Sequence, residues 1–252
     1  MADIVTTPTV AITDCPIFSG PLKTERLGAA LGVDLGSQDM ALAVSRENRM
    51  PRASVVVTTA ARHIIRISKA GEKIETIAVY GSAADPTLHP AFREITENLR
   101  DLRNKWFAKA KLCLVLDEPR LEDPLLRHVL GIYDRVYLRM DWGTAKTFAA
   151  MTGRKSTEFA NYLDNLSHVE HLVVQARFVR GDVDNSTEAE VKAWIKKLAE
   201  IKPREVTILN SDNKGGKKSR VAPKSRLAEI AAEVTEKTGI PANIVTGDTI
   251  LA

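Results

Sequence analysis

The sequence predicts an α/β fold in which a parallel sheet is covered by helices, and two observations carry that prediction. Strand-like runs alternate with helix-like periodicities from about residue 26 onward, and several of the runs are continuously apolar, as at Leu112-Cys113-Leu114-Val115-Leu116. Strands covered on both faces have that composition, and parallel neighbours need crossover connections that are usually helical.

Residues 1–25 read as an irregular N-terminal segment and 26–252 as a single domain. Residues 31–35 and 53–57 read as short strands, and Thr58 to Lys69, with Gly71 behind it, as a helix. Lys73 to Tyr80 is β-branched and apolar, a strand. Phe92, Ile95, Leu99, Leu102 and Trp106 are spaced three or four apart, which is one face of a long helix. After the strand at Leu112 to Leu116, Asp123-Pro124 supplies an N-cap and an N1 proline for a helix through Tyr133. Arg135 to Asp141 is the next strand, helices begin near Thr144 and Thr157, and His171 to Val179 is another strand. Thr187 and Glu190 have capping-box spacing ahead of Val191, Trp194, Leu198 and Ile201. Strands at Glu205 to Leu209 and Ile240 to Val245 bracket a last helix with Leu227, Ile230 and Val234 inward and Gly239 as its stop.

The chain has 252 residues, 44% of them apolar, enough for one full core. A net charge of +4 permits nucleic acid or an acidic partner and requires neither. No apolar run approaches membrane-spanning length and Met1-Ala2-Asp3 lacks the basic start of a signal peptide, so the expectation is a cytoplasmic protein that does not enter membranes. The two cysteines, Cys15 and Cys113, suit a reducing compartment. Cys113, inside an apolar strand, reads as a small buried hydrophobe.

A set of motifs in fixed order resembles the radical S-adenosylmethionine (radical SAM) proteins. Ser82-Ala83-Ala84-Asp85-Pro86-Thr87-Leu88-His89-Pro90 is similar to that family's Gly-Gly-Glu-Pro-Thr-Leu-His-Pro loop. Gly20-Pro21, Arg26-Leu27-Gly28 and Leu31-Gly32-Val33-Asp34-Leu35 resemble the first conserved segment of one subgroup. Asp123-Pro124, Asp141-x-Gly143-x-x-x-Thr147-Phe148, Val179-Arg180-Gly181 and Asp184-Asn185-Ser186 resemble later ones, over roughly residues 19 to 245. The resemblance implies an incomplete (β/α)6 TIM-like barrel. Six countable strand–helix units argue against a complete eight-unit barrel, and no glycine fingerprint of a doubly wound nucleotide-binding sheet follows the first strand. It also implies a Cys-x-x-x-Cys-x-x-Cys segment after Val33-Asp34-Leu35, yet the corresponding positions fall near Ala41, Ser45 and Asn48 and residues 36–52 contain no cysteine. A [4Fe-4S] cluster is held by thiolates, so none is expected here. Asp85 stands where the family has glutamate, a carboxylate one methylene shorter, and SAM remains a candidate ligand.

In such folds ligands bind at the carboxyl ends of the strands. The polar residues expected there are Ser82, Asp85, Asp117, Glu118, Arg139, Asp141, Gln175, Arg177, Asn210 and Asp212. Of these, Ser82, Asp85, Asp117, Arg139, Asp141, Arg177 and Asn210 are the candidate ligand-binding set. Arg139 and Asp141 share a strand face, as do Gln175 and Arg177. Two outcomes are open: an internal salt-bridge network that plugs the barrel, or a ligand pocket. Asp212 to Arg226 carries Lys214, Lys217, Lys218, Arg220, Lys224 and Arg226 with Gly215-Gly216 among them, a basic segment that is either a solvated loop or a contact for anions or RNA, the first four being the candidate anion-binding residues. His168 and His171 have i,i+3 spacing but no accompanying thiol or carboxylate cluster, so no metal site is assigned. The expected function is that of a radical-SAM-like protein without radical chemistry, retained to bind a small polar ligand or a protein partner. The alternatives are an enzyme with divergent chemistry or SAM binding at the barrel mouth, and an RNA-associated protein using residues 212–226.

Overall fold

A computed structural model describes residues 17–37, 50–117, 119–210 and 219–246. The chain runs β1 (Phe18–Thr24), β2 (Gly28–Asp34), α1 (Ala53–Lys69), β3 (Thr76–Tyr80), α2 (Phe92–Trp106), β4 (Lys111–Leu116), α3 (Pro124–Leu130) and β5 (Arg135–Arg139). It continues α4 (Ala145–Thr152), α5 (Phe159–Ser167), β6 (Leu172–Ala176), β7 (Val179–Gly181), α6 (Glu188–Ile201), β8 (Glu205–Asn210), β9 (Ser219–Val221), α7 (Lys224–Thr238) and β10 (Ala242–Thr246). One eight-stranded sheet has the order β1-β2-β3-β4-β5-β6-β8-β10, and β7 and β9 form a separate antiparallel ribbon. From β2 to β10 every neighbour is parallel; β1 is an antiparallel edge. The sheet curls enough for the Glu25 carboxylate, in the β1–β2 turn, to accept the Thr246 N–H of β10 at 3.0 Å.

Alternation along each strand divides the core. Leu31, Val33, Ile77, Val79, Leu112, Leu114, Val136, Leu138, Val174, Val206 and Ile208 face the helices and build one large apolar cluster with Ile64, Leu99, Phe148, Leu198 and Leu227. Ala30, Ala78, Cys113, Val115, Tyr137 and Val173 line the other, concave face as a smaller cluster. The second set places the site, because the residues two positions further along the same strands point the same way.

Several elements begin and end where local chemistry dictates. Asp123 caps α3 by accepting the Leu125 N–H at 2.8 Å, Pro124 follows at the first helical position, and Gly239 ends α7 at φ 71°. Thr187 accepts the Glu190 N–H at 3.4 Å at the head of α6. The helix predicted at Thr157 begins at Phe159 after a 3-10 turn, the strand predicted from Lys73 begins at Thr76, and the helix predicted through Tyr133 stops at Leu130.

Three expectations are corrected. Residues 53–57 are the first turns of α1, not a strand: Val56, Ala60, Ile64 and Ile67 share one buried helical face, and this packing overrides the β-branched Val55-Val56-Val57 run. Phe18–Thr24, expected within an irregular segment, forms β1; its pairing with β2 is interrupted between Ser19 and Leu22, where Pro21 lacks an N–H. His171 to Val179 is two strands, because the chain leaves the sheet at Arg177 and Phe178 and re-pairs with β9.

Gly143 joins β5 to α4 against α6, where an added Cβ would lie 2.4 Å from the Trp194 backbone nitrogen and 2.8 Å from the Glu190 carbonyl. Gly143→Ala is expected to lower the unfolding free energy by about 2 kcal/mol or more, measured by urea denaturation. An unchanged midpoint would show that the turn can move off α6.

Candidate functional site

The inner face of β4, β5 and β6 delivers charge to the carboxyl end of the sheet. Arg139 sits between two carboxylates, Asp117 at 3.2 Å and Asp141 at 3.3 Å. The Asp117 side chain is 77% exposed and that of Asp141 13%, so the inner pair is the one held away from water. Asp141 also accepts the Arg177 N–H at 2.6 Å. Asn185, 2% exposed, donates through Nδ2 to the carbonyls of Asp141 (2.6 Å) and Arg177 (2.7 Å), and its Oδ1 accepts the Val179 N–H at 2.7 Å. Burial pushes the Asp141 carboxyl above its ordinary range, opposed by Arg139 and by the Arg177 amide. Burial also lowers the Arg177 guanidinium, aided by Arg139 and opposed by Asp141.

Gln175 pairs in register with Arg139 and is 4% exposed. Its Nε2 has no hydrogen-bond partner among the described residues. A buried amide donor left unpaired costs about 1–3 kcal/mol, so the inner face offers an unfilled polar position beside the ion pair.

The segment from Ser82 to Pro90 is held by its own bonds. Asp34, 4% exposed at the end of β2, accepts from the Gly36 and Ser82 N–H groups at 3.0 Å each and from the Ser82 hydroxyl. The loop then folds back so tightly that a Cβ on Gly36 or Gly81 would lie 2.1 or 1.9 Å from the Ala84 carbonyl oxygen. Asp85 Oδ1 accepts from the Thr87 N–H at 2.8 Å and the Thr87 hydroxyl at 2.6 Å, starting a 3-10 turn. Burial raises the Asp85 carboxyl despite those bonds, and Asp117 adds to the rise. His89, 4% exposed, accepts the Ala91 N–H at Nδ1 and contacts the Pro51 carbonyl through Nε2 at 2.7 Å, which leads into α2.

Of the residues predicted for the site, Asp117, Arg139, Asp141 and Arg177 come together, with Asp85 near enough for Asp117 to repel it. Ser82 is tied to Asp34. Asn210 points to Thr246 Oγ1 at 3.5 Å, a contact of β8 with β10, and makes no bond to the cluster. Arg220 lies on β9 directly opposite Arg180. Lys214, Lys217, Lys218, Glu118 and Asp212 lie outside the described residues, as do Cys15, Ala41, Ser45 and Asn48. Asp34 and Asn185 stand inside quoted motifs, but their roles come from bonds spanning 48 and 44 residues, which spacing alone does not reveal.

The donor set does not fit a [4Fe-4S] cluster. Three thiolates are required and the chain has two cysteines; Cys113 is 1% exposed on β4, with its thiol pushed up to about 12 by burial. Among the described residues no three His, Cys, Asp or Glu side chains gather as a metal site, and no helix is long and apolar enough to cross a membrane.

No model of a known protein family matches the chain, and no curated protein matches it in sequence. Among solved structures it is similar to a radical SAM methyltransferase from Sphaerobacter thermophilus, at 11% identity and a TM-score of 0.58, over 88% of this chain and 67% of that one. A domain of a pyruvate-formate lyase-activating enzyme from Bacteroides vulgatus ATCC 8482 aligns over 60% of this chain and 92% of its own, at 10% identity and a TM-score of 0.44. The methyltransferase likeness is one of fold, a curled α/β sheet.

A carboxyl raised in the folded state favours its protonated form, so the stability it supplies is full below its unfolded pKa and is lost as pH rises through the folded one. Asp85→Asn keeps the Oδ1 acceptor and removes the buried charge. It is expected to raise the melting temperature at pH 7, with the gain shrinking toward pH 4. A loss at pH 7 that exceeds the loss at pH 4 would mean that the ionised carboxylate's bonds to Thr87 outweigh its burial.

Proposed function

We propose that this chain is a radical-SAM-type barrel of the incomplete (β/α)6 kind that does not perform reductive cleavage of SAM, and that it binds a small polar ligand or a protein partner at the carboxyl ends of its strands. The observation that carries the proposal is the donor set: two cysteines in the whole chain, one of them buried on β4 with a strongly raised thiol. Binding at the mouth is supported by the Gln175 amide beside the Arg139–Asp141 pair, a donor with no partner among the described residues next to fixed charges of both signs. A zwitterion or an amino-acid-like group matches such a set.

Anaerobic reconstitution followed by iron and sulfide analysis tests the first half. Less than one iron per chain is expected, and about four with the matching absorption band would overturn the proposal. SAM is the first ligand for the second half. A ligand at ten times its Kd adds about 1.4 kcal/mol of stability, readable as a thermal shift. Gln175→Met should stabilise the free protein and abolish the shift. A midpoint that ignores SAM in the parent, together with a more stable Gln175→Met, would leave the mouth as an internally paired plug.

The β7–β9 ribbon favours a second reading, an RNA-associated protein. Arg180 and Arg220 are exposed and directly opposite each other, an arrangement of like charges that costs stability until an anion covers it. Arg180 and Arg226 both reach Ser186, at 3.5 and 3.1 Å, and Arg226 also pairs with Glu229 at 3.0 Å. RNA affinity should fall with salt, and Arg180→Ala and Arg220→Ala should each flatten the slope by about one unit. Absent affinity at low salt would leave the ribbon as solvated surface.

A further inference from the structure

A cavity of about 940 Å3 opens at the other end of the sheet. Its walls are the β1–β2 turn, the connections from α1 into β3 and from α2 into β4, and the amino halves of β4 and β5. The residues that line it are all among the described ones.

Its chemistry is cationic and aromatic. At the inner end lies Tyr137, 1% exposed, with the Arg26 guanidinium 5.0 Å from its ring centre and Arg135 Nη1 3.4 Å from its hydroxyl. At the rim stand the half-buried Trp106 and Phe107 with Lys73, Lys109 and Lys111. Of the acidic groups nearby, Glu25 holds the Thr246 N–H and Glu205 pairs with Arg135 at 3.1 Å, while Glu72 and Glu75 stand in the lining against the cations Arg26, Lys73, Lys109, Lys111 and Arg135. Lys73, Lys109 and Lys111 form no ion pair among the described residues.

We infer that this cavity is a second binding site, independent of the strand carboxyl ends, for a small anion carried on a planar ring: the anion among the rim lysines and the ring against the Trp106–Phe107 wall. The volume lies within the range of small-molecule sites, uncommitted ammonium groups favour phosphate or carboxylate, and aromatic faces beside cations favour a flat ring.

Trp106 makes the site readable. Trp142 and Trp194 are buried at 2% and 1% exposure, so a ligand reaching this cavity should quench Trp106. AMP and benzoate serve as probes for the two anion types, with adenosine and inorganic phosphate as the halves of AMP. Saturable quenching by AMP or benzoate is expected, lost in Trp106→Phe and weakened about tenfold in the double variant Lys73→Gln/Lys111→Gln. The lysine variant should leave any SAM response at the mouth unchanged, which separates the two sites. Three results would overturn the inference: no quenching by either probe at millimolar concentration, equal affinity in the lysine variant, or inorganic phosphate binding as tightly as AMP while benzoate does not bind.

Discussion

The carboxyl end of the sheet depends on Asp141 and Asn185. β6 ends at Ala176, and beyond it the backbone groups of Arg177 and Val179 have no neighbouring strand of the main sheet to pair with. Buried backbone donors and acceptors must find partners elsewhere. Asp141 takes the Arg177 N–H, and the Asn185 amide takes the carbonyls of Asp141 and Arg177 and the Val179 N–H. Two side chains thus fix the exits of β5 and β6 and the start of β7. The Arg139–Asp141 ion pair adds orientation more than stability, since desolvation offsets most of the Coulombic gain of a largely buried pair.

The same physics accounts for one of the motifs on which the radical SAM resemblance rests. In Asp141-x-Gly143-x-x-x-Thr147-Phe148, Gly143 permits contact with the backbone of α6 and the Thr147 hydroxyl bonds to Glu190 at 3.0 Å. Phe148 packs edge-on against Trp142 at 4.7 Å within a group that includes Phe159 and Tyr162. Every one of these positions is fixed by packing, capping or backbone pairing. A sequence can keep such a motif for its fold alone.

What the sequence disclosed follows the same division between local and distant causes. α2 was legible as a helix because its apolar spacing is local, as were the caps at Asp123 and Thr187 and the stop at Gly239. The start of α1 was not: Arg52 offers no side-chain cap, and only packing decides that Val55-Val56-Val57 is helical. β1 was hidden by Gly20-Pro21, which looks like a break and is tolerated because the strand lies at an edge. At the mouth, period-two reasoning placed Arg139 on its strand, and Asp141 and Arg177 follow just beyond the ends of β5 and β6. It could not find that Asp34 holds Ser82, that Asn210 turns to β10, or that Arg26 reaches Tyr137, because each depends on where another strand lies.

The alternation that makes the mouth also separates it from the cationic cavity at the amino end. β4 and β5 contribute to both: Cys113 and Arg135 lie in register at one end, and Asp117 and Arg139 at the other. Between them Val115, Tyr137 and Val173 form a continuous row across three strands, all at 9% exposure or less. That apolar row lies between the charges of the two ends, and each end forms its own ion pairs, Arg139 with Asp117 and Asp141 at the mouth and Arg135 with Glu205 at the amino end. Arg26 is the exception, since its guanidinium lies over the Tyr137 ring and its field helps to lower the Arg177 guanidinium. Occupancy of the amino-end cavity by an anion would screen that field, which makes Arg26 an electrostatic link between the two ends.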